Sequence, residues 1–389
     1  MSRSATPRRP RPRHTYKTTA VAAIATVLAG LAVNAPAATA ATPHRAVDTP
    51  VLQQKLDELV EKGSPGAVLY TYDGGHVTAL QSGVADIDAG APMTGDTFFR
   101  IGSLTKTYVS TAVLRLVAKH RLALEDPVDR YLPGLMSGQQ RVTLRQLLNH
   151  TSGLYEFNDD PRVLAPYLGG DLGHVWTPRS LVRIALSHGP VAEPGTAYHY
   201  ANTNYVLAGL VVQAVTGKRL GAVLRNSVFS PAGLSATTFT ASRTLPTPAA
   251  HGYVVLPGSH QPTDITPLYP YPWASGAAVS TAPDVALFYR SLLSGQLLPR
   301  RLLAAMRTTN DASAEEGPGT SYGLGLERFT TPCGAAWGHG GNFAGYVVYV
   351  YSSADGSRQT VLLLNEDPAS LPQRLGRDFF ELLNAAYCG

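Results

Sequence analysis

Hydrophobic and polar positions follow one kind of pattern at the two ends of this 389-residue chain and another kind in its middle. On the N-terminal side, apolar residues over 51–62 recur at helical spacing, and residues 66–86 form two alternating runs joined by an Asp-Gly-Gly turn. On the C-terminal side, two β-branched and aromatic runs flank a turn at 354–357, and a helical pattern over about 371–386 follows. These patterns predict a helix and a hairpin at the first end, and a hairpin and a helix at the second.

The middle of the chain, about residues 104–270, has a different pattern. Its apolar residues recur at helical spacing in short segments, which are separated by loops rich in proline and glycine. The helical segments are 107–119, 144–148, 179–187, 205–215 and 220–228. Strands at both ends and helices between them predict an α+β fold, an α/β sandwich. Its antiparallel sheet is formed by the N- and C-terminal parts and flanked by helices, and it carries a mostly helical insertion.

The first 40 residues have the layout of a secretory signal peptide. A basic segment ends at Lys17, an apolar run follows over 18–33, and an Ala-Thr-Ala sequence at 38–40 fits cleavage after small residues. A membrane anchor is the alternative, but the run is short and rich in alanine, which favours cleavage. The predicted divisions are a signal peptide at 1–40, a linker at 41–50 and one domain at 51–389. We therefore expect a secreted, extracellular protein, with Sec and Tat export both open.

The net charge of +5 and the pI near 9.1 come from this leader. Six of the 32 basic residues and none of the 27 acidic residues lie within the first 40 positions. The rest of the chain carries 26 basic and 27 acidic side chains, a net charge of −1. We therefore expect no nucleic-acid partner. No later segment reaches the roughly 18 uninterrupted apolar residues of a membrane span.

Cys333 and Cys388 are the two cysteines of the sequence. A disulfide between them would close a loop of 55 residues, which stabilises a fold by roughly 4 kcal/mol when its geometry is unstrained. Two free thiols are the alternative, and the even count in an exported protein favours the bond. The sequence has no His-Glu-x-x-His motif and no cysteine pair at ligand spacing, so we predict no metal and no cofactor.

Ser103 and Lys106 lie at the start of a helical segment, in the stretch RIGSLTKTY. Residues three apart share a helix face, so the lysine amino group can reach the serine hydroxyl. The first helical turn favours negative charge, and a lysine whose pKa is lowered by burial or neighbours can take the serine proton. The alternative is a capping serine beside a surface lysine, and this stretch alone favours it.

Two further segments carry polar groups that are suited to acyl transfer. In AYHYANTNY, the phenol of Tyr200 can relay a proton, and the amide of Asn202 can bind a carbonyl or the lysine. In WGHGGNFAGY, His339 supplies a donor or a cation, Gly341 lets a substrate approach the strand, and Asn342 supplies a backbone N–H for an oxyanion hole. Alone, the first segment fits an aromatic-rich loop and the second a glycine-rich turn before a strand.

Together, the three segments match the Ser-x-x-Lys, Tyr-x-Asn and His-x-Gly signature of the penicillin-recognising serine hydrolases. The chain resembles the class C-like branch of this family, and within it the exported serine-type D-Ala-D-Ala carboxypeptidases, from about residue 51 to residue 389. The similar segments include RVTLRQLLNHTSGLY and SYGLGLER, and both cysteine positions recur. The resemblance implies a β-lactamase/transpeptidase-like fold.

The resemblance also implies a role for each candidate residue. Ser103 would be the acylated nucleophile, with Lys106 and Tyr200 as the proton-transfer pair, and the sequence leaves open which of the two is the base. The N–H groups of Ser103 and Asn342 would form the oxyanion hole. The candidate substrate contacts are Asn202, His339, Gly341, Asn342 and Trp273.

The implied function is an exported serine hydrolase that acts through an acyl-enzyme on D-Ala-D-Ala-type cell-wall peptides and binds β-lactams as inhibitors or substrates. Two positions depart from the carboxypeptidase pattern, because Glu327 and Gly340 replace an arginine and a threonine that help hold the terminal carboxylate. A β-lactamase, a D-aminopeptidase or an esterase of the same family is therefore an alternative, and a non-catalytic binding module is the alternative outside the family. We expect a monomer. The sequence does not determine which leaving group the enzyme prefers or how fast the acyl-enzyme is hydrolysed.

Other conspicuous residues have simpler explanations. Ser321 lies in a Gly-x-Ser-x-Gly sequence, but the polar, loop-like segment before it does not suit a nucleophile elbow. Asn149, His150 and Tyr155 are interpreted as scaffold residues. For Trp273, a place in the cleft and a place in the core are equally compatible with the sequence.

Overall fold

A computed structural model describes residues 48–136, 141–256, 259, 261–366 and 373–389. The strands are β1 Gly66–Asp73, β2 His76–Asp86, β3 Ala91–Pro92, β4 Phe99–Arg100, β5 Thr238–Phe239, β6 Tyr253–Val255, β7 Pro262–Asp264, β8 Ala278–Ser280, β9 Asn310–Asp311, β10 Thr320–Tyr322, β11 Glu327–Thr331, β12 Gly334–Phe343, β13 Tyr346–Ser352 and β14 Arg358–Leu364. The helices are α1 Thr49–Glu61, α2 Thr105–Ala118, α3 Leu144–Leu148, α4 Pro161–Leu168, α5 Pro178–Leu186, α6 Asn202–Thr216, α7 Leu220–Leu224, α8 Ser230–Ala232, α9 Ala282–Leu293, α10 Arg300–Met306, α11 Ser313–Glu316 and α12 Gln373–Cys388. The predicted signal peptide and most of the predicted linker lie outside the described residues.

Within the described ranges, nine strands form one sheet in the order β3-β2-β1-β14-β13-β12-β11-β10-β9. The N-terminal hairpin joins the C-terminal strands through the antiparallel pair β1 and β14, in which Leu69 faces Leu362. The pairs β1–β2, β13–β14 and β12–β13 are antiparallel as well. The structure therefore confirms the predicted α+β fold with an antiparallel sheet built from both ends of the chain, and both predicted hairpins are present.

Helices cover the two faces of this sheet, because successive side chains of a strand point to opposite faces. On one face, Ala67 and Leu69 of β1 pack with the apolar sides of α1 and α12. On the other face, Val68 of β1 and Val348 of β13 belong to the large core that includes α9 and the helical region. The predicted helix at the N-terminal side begins at Thr49, where Pro50 occupies the first turn and the carboxylate of Asp48 accepts the N–H of Val51.

The helical region lies between β4 and β8, and α2 is its central helix. Eleven of the 14 side chains of α2 are buried, among them that of Lys106, and α2 packs against α6. The predicted helix at 220–228 is an α-helix only as far as Leu224 and then continues as a π-helical segment, Arg225–Phe229. From residue 233 to residue 280 the described chain forms loops, short strands and one 3₁₀ turn, Trp273–Ser275, so the insertion is α-helical in its first part only. In the described ranges, no single helix has the length and composition needed to span a membrane. The segments Asn202–Thr216 and Leu220–Ala232 meet that requirement only when they are counted together as one bent pair.

The predicted disulfide is present. Cys333 lies in the turn between β11 and β12, and it is bonded to Cys388 at the end of α12, with the two Cα atoms 5.6 Å apart. The bond therefore ties the closing helix of the chain to a hairpin of the sheet. It lies in the layer formed by α1 and α12, whose apolar side chains pack on the face away from α9.

Replacing both cysteines by serine should lower the free energy of unfolding by up to about 4 kcal/mol, because the unfolded chain regains the freedom of a 55-residue loop. Urea unfolding of the oxidised protein, the reduced protein and the double variant measures this loss. Reduction of the wild type should reproduce most of the effect, since it removes the same cross-link. Equal unfolding midpoints for all three would contradict the assignment of the bond as stabilising.

Candidate active site

Ser103 lies in a short 3₁₀ turn between β4 and α2. The glycine before it, Gly102, has a φ of +48°, and a Cβ atom there would lie 2.4 Å from the carbonyl oxygen of Asn342. A Cβ atom on Gly341 would lie 2.3 Å from the carbonyl oxygen of Ile101. The turn and β12 therefore touch backbone to backbone, which only glycine permits at these two positions. This contact places Ser103 beside the strand that carries the third motif.

The amino group of Lys106 is buried and is held by three neutral oxygen atoms. Nζ lies 2.8 Å from Ser103 Oγ, 2.7 Å from Asn202 Oδ1 and 2.9 Å from the carbonyl oxygen of Ser275. Burial lowers the pKa of Lys106 from 10.5 to about 7, and the negative charge of glutamates, Glu156 foremost, opposes this shift. A large fraction of Lys106 is therefore neutral at pH 7 and can accept the proton of Ser103.

Tyr200 also reaches the nucleophile, since its phenol O–H donates to Ser103 Oγ at 2.9 Å. Lys106 Nζ lies 4.8 Å from the centre of the Tyr200 ring, and the imidazole of His150 stacks on that ring at 4.3 Å. Burial, reinforced by the charge of Glu316, raises the pKa of Tyr200 well above 10. The phenol is therefore protonated at neutral pH and begins as a hydrogen-bond donor.

His150 and Tyr155 contact the start of α6, which agrees with their interpretation as scaffold. The Nδ1 atom of His150 accepts the N–H of Ala201 at 3.1 Å and the side-chain amide of Asn204 at 3.0 Å. Burial, reinforced by nearby Lys106, lowers the pKa of His150 well below 6.5, so the ring is neutral. The carbonyl of Tyr155 accepts the hydroxyl of Thr203 at 2.7 Å. These bonds hold the chain within the Tyr-x-Asn motif and just after it.

Glu156 is a site residue that the sequence analysis missed. Its buried carboxylate accepts the backbone N–H of Asn202, and it accepts the Asn202 side-chain NH₂ at 2.9 Å. With its NH₂ held by Glu156, the Asn202 amide presents Oδ1 to Lys106. Burial raises the pKa of Glu156, and hydrogen bonds from Asn202 oppose that shift. The one sequence signal was an acidic residue between the aromatic residues Tyr155 and Phe157.

His339 is buried and forms a neutral chain of contacts with Tyr322 and Glu327. Its Nε2 atom lies 2.8 Å from the phenol oxygen of Tyr322, and its Nδ1 atom lies 3.1 Å from Glu327 Oε1. The second oxygen of Glu327 accepts the N–H of Gly340 at 3.1 Å. Burial lowers the pKa of His339 to about 3 and raises that of Glu327 well above 4.5. Both shifts favour the neutral forms, so His339 serves as a neutral donor and acceptor rather than as a cation.

The remaining predicted residues divide between the cleft and the core. His339 and Gly341 face the helical region, whereas the side chain of Asn342 is exposed and borders α12, so only the backbone of Asn342 can serve the reaction centre. Trp273 is not among the residues that line the cleft. Its ring packs against Gly209 of α6 and meets Phe239 edge to face at 6.3 Å, which corrects its assignment as a substrate contact. Its backbone has a φ of +47°, a conformation that no sequence pattern predicts for tryptophan.

These groups open into one cleft of about 360 Å³. Its wall includes Ser103, Tyr200, Asn202, the strand segment from His339 to Ala344, and the glutamates Glu316 and Glu327. Of the described residues that line it, none is lysine or arginine. Ser321 lies on β10 and is not part of this wall, in agreement with its rejection as nucleophile. No group of metal-ligating side chains occurs among the described residues.

Comparison with known proteins gives a consistent picture. The family model described as Beta-lactamase matches residues 52–379. A solved structure of a D-stereospecific amidohydrolase from Streptomyces sp. is 36% identical, covers 86% of this chain and 98% of its own, and superposes with a TM-score of 0.77. The D-amino acid amidase from Ochrobactrum anthropi SV3 is 29% identical, with 86% and 97% coverage and a TM-score of 0.76. Penicillin-binding protein 4* of Bacillus subtilis is 26% identical over 332 residues, which cover 81% of this chain and 71% of that protein.

Replacing Glu156 by glutamine should slow acylation by about 10- to 100-fold, because one hydrogen-bond donor of Asn202 loses its acceptor, at a cost of about 1–3 kcal/mol. The loss should fall on kcat more than on KM, since Glu156 acts through Asn202 and Lys106. Stopped-flow acylation by a chromogenic ester measures the rate. The control is Glu61→Gln, at an exposed position of α1. A rate for Glu156→Gln equal to that of the control would refute this positioning role.

Proposed function

Since this chain belongs to the Beta-lactamase family of serine hydrolases, we propose that it hydrolyses amides of D-amino acids, including short peptides, through an acyl-enzyme on Ser103. The D-Ala-D-Ala carboxypeptidase reaction expected from the sequence is the second candidate, supported by the similarity to Penicillin-binding protein 4* of Bacillus subtilis. We also propose that the protein is exported, on the basis of the signal-like first 40 residues.

The absence of lysine and arginine from the described lining of the cleft is the observation that carries this proposal. Glu327 occupies the position at which the similar carboxypeptidases hold an arginine, and Glu316 is the second carboxyl group of the wall. Burial raises the pKa of both groups. A terminal carboxylate bound beside them would be desolvated without a compensating cation, whereas a neutral amide would not.

The geometry supports a simple order of proton transfers. Neutral Lys106 takes the proton of Ser103 as Oγ forms a bond to the substrate carbonyl carbon, and the N–H groups of Ser103 and Asn342 receive the developing oxyanion. The C–N bond then breaks, and the phenol of Tyr200 gives its proton to the departing amine. Tyr200 then recovers a proton from the ammonium form of Lys106, which returns both groups to their starting protonation states. In the second half-reaction the water hydroxyl bonds to the ester carbonyl carbon, the bond from that carbon to Ser103 Oγ breaks, and the water proton returns to Ser103 Oγ.

Two similar structures support the choice of leaving group. Their names describe a D-stereospecific amidohydrolase and a D-amino acid amidase, and each covers 86% of this chain. The D-aminopeptidase that the sequence offers as an alternative has support of the same kind. A relative with that name from Brucella anthropi is 26% identical over 314 residues. These likenesses favour substrates with a D-configured acyl group and a small leaving group.

The wild type should hydrolyse D-phenylalanine amide with a kcat/KM at least about tenfold above that for a D-alanyl-D-alanine peptide, a difference of about 1.4 kcal/mol in transition-state binding. Glu327→Arg should narrow this ratio, because it restores the cation that the carboxypeptidase pattern places at this position of the cleft wall. Product release is measured by chromatography, with L-phenylalanine amide as the stereochemical control and Glu61→Arg as the control for charge.

Intact mass spectrometry with benzylpenicillin supplies the matching test of the nucleophile. A covalent adduct should appear on the wild type and be absent from Ser103→Ala. Adducts on both proteins would refute Ser103 as the nucleophile.

In the comparison of substrates, a higher rate on the free-carboxylate peptide than on the amide would instead favour the carboxypeptidase candidate.

The acylation rate should rise about tenfold per pH unit below pH 7 and level off above it, because neutral Lys106 is the base and its pKa is lowered to about 7. A plot of kcat/KM for the amide against pH measures this dependence. His339 should not contribute an inflection between pH 5 and 8, since its pKa is lowered to about 3. A rate that continues to rise beyond pH 10 would assign the base to Tyr200, whose pKa is raised well above 10.

A further inference from the structure

A second concave region lies beside the cleft, on the far side of the 3₁₀ turn Trp273–Ser275, which we call the Trp273 turn. Its larger cavity, about 730 Å³, is formed by the end of α6, by α7 and by β5, and Trp273 lines it. A smaller cavity of about 250 Å³ adjoins it through Lys218, which lines both. The basic residues of the two cavities are Arg115, Lys119, Arg121, Lys218, Arg219 and Arg225. No aspartate or glutamate is among the described residues that line either cavity, and we call this region the basic groove.

The basic groove is a local separation of charge within residues 41–389, whose net charge is −1. The sequence contains no acidic residue between Asp96 and Glu125, and none between Glu193 and Asp264. These two intervals supply every lining residue of the groove except Trp273. Positive charges in a concave surface with no carboxylates reinforce one another, because the protein walls focus the field into the concavity. The neutral total therefore conceals a strongly positive surface.

Four of the six cations are available to a ligand. Arg115 and Arg121 are engaged in the fold, since they donate to the carbonyl oxygens of Leu297 and Val215 at 2.6 Å each. The exposed side chains of the other four cations form no ion pair with any described residue. They are Lys119, Lys218, Arg219 and Arg225. These four cations surround two adjoining cavities that share Lys218. The arrangement matches a ligand that carries several negative charges and extends across both cavities.

We propose that the basic groove binds a linear polyanion built of phosphate groups. Arginine binds phosphate oxygens in pairs and lysine binds them as a point charge, so Arg219, Arg225 and Lys218 together suit successive groups of one chain. A single small anion would occupy one cavity and leave the other empty. Nucleic acid is disfavoured because Phe239 and Trp273 meet edge to face and offer no pair of parallel platforms for bases. Such binding would hold the enzyme on a charged polymer while the cleft stays open to substrate.

The test measures binding of fluorescently labelled short-chain inorganic polyphosphate to the full chain by polarisation at several salt concentrations. The triple variant Lys218→Ala, Arg219→Ala, Arg225→Ala should bind at least about tenfold more weakly, and its salt slope should fall by about three, because three phosphate contacts are lost. The control removes three exposed arginines of α5 and α10, as Arg179→Ala, Arg183→Ala, Arg301→Ala. It should bind like the wild type.

Each other outcome overturns the proposal. Equal losses in the two triple variants would show that net charge alone governs binding. The absence of measurable polyphosphate binding by the wild type would refute the site. Tighter binding of DNA of equal charge would show that the ligand is nucleic acid and not a chain of phosphate groups. Hydrolysis of D-phenylalanine amide should be the same in all three proteins, since no substituted residue lines the cleft. This measurement separates a failure of the polyphosphate-binding proposal from a failure of the proposed hydrolysis.

Discussion

The burial of one amino group is the constraint on which the site depends. Lys106 lies in the central helix of the helical region, and its three oxygen partners come from three separate parts of the fold: the turn of Ser103, the first residue of α6 and the Trp273 turn. None of these partners carries a charge, and the negative charge of Glu156 only partly offsets the hydration that the ammonium form loses. The neutral form is favoured only while all three parts are packed in place. The reactivity of the site is therefore a property of the whole tertiary structure.

Much of the fold and part of the site could be predicted from the sequence. The two hairpins and the closing helix were predictable because strand alternation, turn residues and helical periodicity are local. Ser103, Lys106, Tyr200 and Asn202 were found because their spacing within each motif is also local, and the structure brings them within 3 Å of one another in a chain of contacts. The antiparallel arrangement followed from strands at both ends of the chain.

The residues that escaped prediction are those whose role depends on contacts distant in sequence. Glu156 meets Asn202 across 46 residues, and nothing in the spacing of an isolated acidic residue reveals such a partner. Trp273 stands in a left-handed backbone conformation that turns its ring towards α6, and periodicity carries no information about that turn. Composition failed in a similar way. The net charge of −1 over residues 41–389 conceals a cleft whose described lining has carboxyl groups and no lysine or arginine, and a basic groove on the other side of the Trp273 turn.

The glycine contact beside Ser103 also bears on how this protein can move. The turn at Gly102 and the strand at Asn342 meet with no side chain between them, where the helical region joins the sheet. Backbones packed this closely resist sliding past each other. A motion that widened the cleft would therefore have its pivot at the nucleophile. The distance from the Ser103 hydroxyl to the backbone of β12 would change least while the mouth of the cleft opened to admit substrate or release product.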